Sequence, residues 1–353
     1  MTDSFLGENL IFIISQPRSG STLLQRVLAG NPDVQTSAET WLMLHPVYGK
    51  KSNKMKTEFN SSWAQGAVEE FLDHYTDGRE VYDDAIRAWA EVIYKNALKQ
   101  NNKKFFLDKT PRYFFIIRDL YELFPRAKFI FLIRNPLAVL ASELKTYVKG
   151  DWPVLGLFEP DLIDAPQLIL DGIDLLGENA ITIRYEEFVS DPEANISLLC
   201  QKLGIDFHRE MLDYSNTPKP IGKYNDPTGI NQHTTTNTGS LEKWKNMVND
   251  DQALFFARRY LAAIGEETIC KLGYGYQEIY DVLHSRTLLT KKLYPWSIAI
   301  QPESKWTLRQ HFVSDFYFNR SKYGMVKGAF LTSIKYCRKL ARKLITASSL
   351  PDK

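Results

Sequence analysis

Cysteine and long apolar runs are both scarce in this sequence of 353 residues. The three cysteines lie far apart, with no CxxC pair and no histidine at metal-ligand spacing: Cys200, Cys270 and Cys337. These spacings argue against a disulfide framework or a structural zinc site and favour reduced thiols in a cytoplasm-like compartment. The longest apolar runs, such as FIFLI at 129–133, are far shorter than the roughly 20 residues that span a membrane. The N-terminal stretch has two acids and no basic region, so we expect no signal peptide and a cytoplasmic protein.

An excess of charge is also absent, because 44 Lys and Arg residues balance 42 Asp and Glu residues for a net charge of +2. This balance argues against a nucleic-acid binder whose affinity rests on global charge. Hydrophobic residues make up 44% and charged residues 24%, which is typical of a globular protein.

Short β-branched and aromatic runs alternate with helical patterns, as in βαβ units. The pattern predicts an α/β fold with a central parallel sheet flanked by helices. The predicted strands are Leu10–Ser15, Lys104–Asp108, Lys128–Ile133 and Ile181–Tyr185. The predicted helices begin at Ser21, run from Arg112 to Phe124, run from Pro136 to about Lys149, and extend from Pro192 to Gly204.

Two stretches interrupt this alternation. Residues 41–102 are polar at first and have a helical pattern from about Val81, which indicates an insertion. Residues 214–238 are rich in Pro, Asn, Thr and Gly, which predicts a long loop.

The C-terminal 70 or so residues differ in composition, since no acid occurs between Asp315 and Asp352 while basic residues accumulate. An apolar helical face is predicted at Phe330, Ile334, Cys337, Ala341 and Leu344. Either this helix docks on the core with a solvated basic face, or it contacts an anionic membrane surface or an acidic protein partner. We therefore expect a main domain over residues 1–280 and a basic helical extension over 281–353.

The segment IFIIS, followed by QPRSGST and then a helix, is typical of an anion site. A turn between a buried strand and a helix aims backbone N–H groups and the positive end of the helix dipole at one point. Gly20 permits close approach of an anion, Ser21 and Thr22 offer hydroxyl donors, and Arg18 supplies a planar charged fork. Alone, the turn is either a phosphate site or a tight strand-to-helix connection. A nucleotide-triphosphatase loop would need Gly at position 15 and Lys at position 21, where the chain has serines.

A second pattern, RNPLAVLAS, follows the strongest predicted strand. Arg134 lies at the carboxyl end of that strand, where ligands bind in open α/β sheets. Ser142 comes eight residues later in the next helix. The pair either reaches one phosphate or consists of a capping arginine and a helix-surface serine.

Taken together, these patterns resemble the sulfotransferase family that uses 3′-phosphoadenosine 5′-phosphosulfate (PAPS). In that family a loop similar to PRSGSTLL (17–24) holds the 5′-phosphosulfate, and an arginine and serine placed like Arg134 and Ser142 hold the 3′-phosphate. RYEEFVSDPE (184–193) and GSLEKWKN (239–246) resemble two later nucleotide-binding segments of the family. The resemblance implies a P-loop-type three-layer fold and a nucleotide site formed by Arg18, Ser19, Gly20, Ser21, Thr22, Arg134, Ser142, Tyr185, Ser240 and Lys243.

The resemblance to the tyrosylprotein and heparan branches implies that Glu39 is the catalytic base. The alternative is that Glu39 is a cap or salt-bridge carboxylate, and His45 is the rival base. Arg18 and Lys109 are expected to hold charge on the transferring group. No metal is required in this scheme, because basic groups and N–H donors meet the nucleotide's negative charges.

The expected function is sulfuryl transfer from PAPS to a small-molecule or carrier-tethered hydroxyl, with no nucleic-acid partner. The sulfuryl acceptor would be selected by residues 41–102 and 150–164, which are rich in aromatic residues. Two other classes stay open at this point: a P-loop kinase or hydrolase, which magnesium-dependent nucleotide turnover would reveal, and a non-catalytic nucleotide-binding module.

Overall fold

A computed structural model describes residues 4–51, 57–213, 238–290, 292–296, 312, 315–316, 319–320 and 324–348. They fall into two compact units, one of residues 1–142 with 161–291 and the other of residues 143–160 with 292–353. The predicted loop at 214–238 lies outside the described residues except for Thr238. The division at residues 280 and 281 stays a prediction.

The first unit contains a parallel five-stranded sheet in the order β2-β3-β1-β4-β5. Its strands are β1 (Leu10–Ser15), β2 (Val34–Thr36), β3 (Phe105–Lys109), β4 (Lys128–Ile133) and β5 (Ala180–Arg184). Because all strands are parallel, their carboxyl ends lie along one edge, where ligands bind in this class of sheet.

Both faces of the sheet are covered, as the continuous apolar strands require. Side chains alternate along β1, so that Phe12 and Ile14 join one apolar cluster and Ile11 and Ile13 join the other. The predicted α/β fold with a central parallel sheet flanked by helices is therefore confirmed.

Helices precede, connect and follow these strands. They are α1 (Ser21–Ala29), α2 (Leu44–Tyr48), α3 (Ser61–Tyr75), α4 (Arg79–Asn101), α5 (Ile117–Leu123), α6 (Pro136–Glu143), α7 (Ala165–Leu176), α8 (Tyr185–Ser190), α9 (Pro192–Leu203), α10 (Asp251–Ile264), α11 (Glu266–Lys271), α12 (Tyr276–His284) and α13 (Met325–Ser348). The start and stop signals of α9 hold, since Asp191 accepts a hydrogen bond from Ala194 N and Gly204 ends the helix in a left-handed conformation.

Local patterns missed several features of the first unit, among them the helices α7, α8, α10, α11 and α12. β2 was not predicted, because three residues are too short for a periodic signal. The insertion contains helices well before Val81, since α2 and α3 precede α4. The helix predicted over 112–124 is divided into a 3₁₀ helix, Pro111–Ile116, followed by α5.

In the second unit, the apolar face predicted for α13 is wrong at Phe330 and Cys337, whereas Ile334 is half-buried. Phe330 is 64% exposed and Cys337 is exposed, whereas Thr332 and Tyr336 are buried. The Tyr336 hydroxyl donates a hydrogen bond of 2.7 Å to Asp315, and its ring packs against Phe312. The buried face of α13 thus follows a hydrogen-bonded tyrosine rather than the most apolar side chains. The helices described here include none that is both long and apolar enough to cross a membrane.

Candidate functional site

The turn between β1 and α1 has an unusual backbone. Arg18 has φ of 67° and Gly20 has φ of 89°, both in the left-handed region. A non-glycine residue rarely adopts this region, and such strained positions cluster at binding sites. The Ser19 side chain is fully buried, and its Oγ has no hydrogen-bond partner among the described residues. A buried, unpaired hydroxyl beside a helix N-terminus suits a bound anion.

Arg134, which follows β4, points at this turn. Its Nη1 donates a hydrogen bond of 2.7 Å to the carbonyl oxygen of Arg18, while its buried Nε has no partner in the described chain. Burial lowers the pKa of the guanidinium from its ordinary value, and the nearby Tyr185 and Glu186 oppose that shift.

Ser142 meets the turn through Arg18 rather than through Arg134. The Arg18 Nε donates a hydrogen bond of 3.2 Å to Ser142 Oγ. The two motifs that sequence reasoning treated as separate pockets therefore converge on the residues of one turn.

Tyr185 closes the turn from the side of α8. Its ring lies under the Arg134 guanidinium at 4.3 Å, a cation–π contact. A Cβ at Gly20 would lie 2.4 Å from the Tyr185 ring, so only glycine fits there. The Tyr185 hydroxyl is 2.8 Å from Ser240 Oγ, so the late segment, residues 239–246, also reaches this turn.

Two other residues of the late segment, Lys243 and Trp244, form no side-chain hydrogen bond with the turn between β1 and α1 in the described part of the chain. Lys243 is exposed, and within the described residues it forms no ion pair. Trp244 is 4% exposed and belongs to the interior of the first unit.

Glu39 and Lys109 form an ion pair at the carboxyl end of β3. The Lys109 ammonium donates to Glu39 Oε1 at 2.9 Å, and the Trp41 indole donates to Glu39 Oε2 at 3.2 Å. The Lys109 side chain is 1% exposed, so it is no solvated loop lysine. His45, the rival base, lies exposed on α2 and makes no side-chain hydrogen bond within the described part of the chain.

Sequence reasoning missed a buried carboxylate next to this pair. Asp108 is fully buried in β3 and receives hydrogen bonds from four hydroxyl groups, those of Thr40, Tyr94, Thr110 and Tyr113. Burial raises the pKa of Asp108, and the hydroxyl donors oppose that rise. A carboxylate in a strand that reads FFLDK was the available signal, since a buried charge must find donors.

A second missed carboxylate, Asp161, supports the start of the phosphate turn. The Gln16 amide donates to the Asp161 backbone carbonyl at 3.0 Å, and Arg112 donates to the Asp161 carboxylate at 2.7 Å. Burial raises the pKa of Asp161, although Arg112 opposes the rise. The signal would again have been an acid within an apolar stretch.

These groups can bind and act on a phosphorylated ligand. The turn, Arg134 and Tyr185 surround an anion-binding backbone, and the Glu39–Lys109 pair places a carboxylate and an ammonium at the same edge of the sheet. The described residues contain no group of three or more His, Cys, Asp or Glu side chains arranged to hold a metal ion.

Comparisons with known proteins agree with this geometry. The profile of the sulfotransferase family matches residues 10–209, which is more than half of the chain. Nodulation protein NoeE of Sinorhizobium fredii (strain NBRC 101917 / NGR234) is 30% identical over 222 residues, 56% of this chain and 50% of that protein. The chain thus spans only half the length of that relative. A putative protein-tyrosine sulfotransferase of Caenorhabditis briggsae is 25% identical over 274 residues, 74% of this chain and 90% of that protein.

Among solved structures, the sulfotransferase domain from the curacin biosynthetic pathway superposes with a TM-score of 0.50 at 25% identity. The match covers 69% of this chain and 92% of that domain. The sequence profile, the relatives and the fold point the same way. The chain belongs to the sulfotransferase family, the group of PAPS-dependent enzymes that its motifs resemble.

Proposed function

We propose that this protein transfers a sulfuryl group from PAPS to a hydroxyl acceptor, with Glu39 as the general base. The observation that carries the proposal is the convergence of two distant motifs on one turn. Arg134 binds the carbonyl of Arg18, and Arg18 binds Ser142. This convergence brings several hydrogen-bond donors and two guanidinium groups together, as a ligand with several negatively charged groups requires.

The donors present fit the nucleotide. The buried, unpaired Ser19 Oγ and Arg134 Nε are polar atoms that a bound anion would satisfy. The 5′-phosphosulfate would be held by Arg18, Ser19, Gly20, Ser21 and Thr22. The 3′-phosphate would be held by Arg134 and Ser142, and the rest of the nucleotide by Tyr185, Ser240 and Lys243. When bound, PAPS supplies the sulfuryl group on a good leaving oxygen.

Glu39 would accept the proton of the acceptor hydroxyl, and Lys109 would stabilise the negative charge that develops during transfer. The sulfuryl acceptor's hydroxyl loses its proton to the Glu39 carboxylate while its oxygen bonds to sulfur and the bond from sulfur to the phosphate oxygen breaks. Lys109 and Arg18 stabilise the negative charge that moves onto the departing oxygen. Lys109 also orients Glu39, since the two already form a hydrogen-bonded pair. No step in this scheme needs a metal.

The same proposal assigns roles to the larger segments. Residues 1–280 form the transferase domain, and the insertion at 41–102 selects the sulfuryl acceptor. Its helices expose several large apolar side chains, which suits an apolar or sizeable molecule: Trp63, Phe71, Tyr75, Trp89 and Val92. The basic extension at 281–353, its contact with a membrane surface or an acidic partner, and the cytoplasmic location stay predictions.

Calorimetric titration with 3′-phosphoadenosine 5′-phosphate, the desulfated nucleotide, tests the donor assignment without knowledge of the acceptor. We expect stoichiometric binding without added magnesium and none of comparable strength with ATP. Absence of binding at millimolar nucleotide would overturn the proposal. Transfer of radioactive sulfate from PAPS to a panel of phenols, sugars and alkyl alcohols then identifies the acceptor class.

A further inference from the structure

The segment that follows Glu39 is linked to the sheet through hydroxyl groups that converge on one carboxylate, that of Asp108. Three consecutive backbone N–H groups of this segment each donate to a hydroxyl group. Trp41 N donates to Thr110 Oγ1 at 3.2 Å, Leu42 N to Thr40 Oγ1 at 3.1 Å, and Met43 N to Tyr113 Oη at 3.2 Å.

Each of those three hydroxyls then donates its own proton to Asp108. Thr40 Oγ1 reaches Oδ2 at 2.7 Å, Tyr113 Oη reaches Oδ2 at 3.0 Å, and Thr110 Oγ1 reaches Oδ1 at 3.1 Å. A hydroxyl can accept one hydrogen bond while it donates another, so the chain of donors runs without interruption from the backbone to the carboxylate. We refer to Asp108 with Thr40, Tyr94, Thr110 and Tyr113 as the Asp108 cluster.

The Asp108 cluster is largely buried, with Thr40 half-buried at its edge. Asp108, Thr110 and Tyr113 are completely buried. Hydrogen bonds to an acidic group in such surroundings are stronger than in water, and they specify one arrangement of the groups involved.

The anchored segment is strained. Trp41 has φ of 54°, a conformation that a bulky residue adopts only when its surroundings hold it there. Its indole Nε1 donates to Glu39 Oε2, so the strained residue also fixes the carboxylate. Asp108 therefore lies two hydrogen bonds from the backbone of residues 41–43, which begin two positions after Glu39.

We propose that Asp108 is a positioning residue, which acts through Thr40 and Thr110 to hold the Glu39 carboxylate against Lys109. This inference rests on the proposed role of Glu39 as the base, and it adds a requirement that the base assignment alone does not contain. Asp108 touches neither nucleotide nor acceptor in this scheme.

The Trp41 indole supplies a readout that needs no activity. The protein has seven tryptophans, and their ¹⁵N-labelled indole signals can be separated, with Trp41 assigned by the Trp41→Phe variant. Glu39→Ala gives the position of the Trp41 signal without its hydrogen-bond partner.

We expect Thr40→Val, which removes one hydroxyl at nearly constant volume, to move the Trp41 signal toward its position in Glu39→Ala. Thr40→Ser keeps the hydroxyl and should restore the native position. Tyr94→Phe is the matched control, because it removes another donor to Asp108 that binds no backbone group of the anchored segment. In Tyr94→Phe the chemical shift of the Trp41 indole should match that of wild type, even though the melting temperature of this variant falls.

Turnover should follow the indole signal. Thr40→Val is expected to lower kcat about 100-fold, the size of effect that a misplaced catalytic group produces, without weakening nucleotide binding. In a Glu39→Gln background, Thr40→Val should cause no further loss, since both act on the same base. If Thr40→Val does not fold, Thr110→Val removes the other anchoring hydroxyl.

A Trp41 signal that does not move in Thr40→Val or Thr110→Val would overturn the inference. Additive losses of kcat in the double variant would also overturn it. Failure of the proposed function would give a different result, because the wild-type protein would then not bind the desulfated nucleotide. The indole signals would still report whether Asp108 positions Glu39.

Discussion

Arg134 donates a hydrogen bond of 2.7 Å to the carbonyl oxygen of Arg18, which connects the carboxyl end of β4 to the turn after β1. These residues lie 116 positions apart in the chain. The contact leaves the Arg134 Nε without a partner among the described residues and makes Arg18 part of the same site.

Arg134→Ala should weaken binding of the desulfated nucleotide by about 10- to 100-fold, because one charge-assisted hydrogen bond is worth roughly 1.5–3 kcal/mol. Calorimetric titration measures the change in Kd. Arg126→Ala is the matched control, since Arg126 is an exposed arginine paired with Glu8. Equal affinities for Arg134→Ala and wild type would remove Arg134 from the nucleotide site.

Glu39→Gln should lower kcat for sulfuryl transfer by about 100-fold or more, the usual contribution of a general base. The amide keeps the size of the side chain and an acceptor for the Trp41 indole, so nucleotide affinity should stay near that of wild type. Glu91→Gln, at a surface ion pair on α4, is the control. Near wild-type turnover of folded Glu39→Gln would show that another group takes the proton.

Gly20→Ala should weaken nucleotide binding more than the small volume of one added methyl group suggests. The added methyl would lie 2.4 Å from the Tyr185 ring, at a backbone φ of 89°. The turn, the ring or both must shift, which disturbs the stack of Tyr185 on Arg134. Gly20→Ala/Tyr185→Ala should recover backbone order at the turn, seen as a rise in melting temperature over Gly20→Ala alone. A Gly20→Ala variant with native stability and affinity would contradict the steric argument.

Asp161 should make folding stability fall with rising pH. Burial raises its pKa in the folded state, so the folded protein holds this proton more tightly than the unfolded chain does. The corresponding stability is present below the unfolded pKa, about 3.9, and is lost as pH rises through the folded pKa. The melting temperature of Asp161→Asn relative to wild type should therefore increase between pH 4 and pH 7. A constant difference over this range would contradict the direction of the shift.

Cys200 should resist thiol reagents in the folded protein. Burial raises the pKa of its thiol to about 11, whereas Cys270 and Cys337 are exposed. A disulfide reagent at pH 8 should modify two thiols rapidly and the third only after denaturation, since the thiolate is the reactive form. Cys200→Ser should leave the rapid phase unchanged. Three rapid equivalents in the native protein would show that α9 opens to solvent.

Local order followed from the sequence because it depends on neighbours along the chain. The strand β4 and the turn around Gly20 were both predicted at the correct positions. A buried strand requires apolar residues, and a left-handed turn favours glycine, so both can be recognised from residue type. The residues that cap the two ends of α9 were also identified correctly from the sequence. The three-residue strand β2 was missed because so short a run has no period to detect.

Tertiary structure alone decided which residues of the site meet. Glu39 and Lys109 are 70 positions apart and pair because β2, which precedes Glu39, lies beside β3 in the sheet, an order that no local pattern encodes. Asp108 was overlooked for the same reason, since its four donors come from three separate parts of the chain. Residue types specify what each side chain can do, whereas the packing of a parallel sheet determines which of them share an edge.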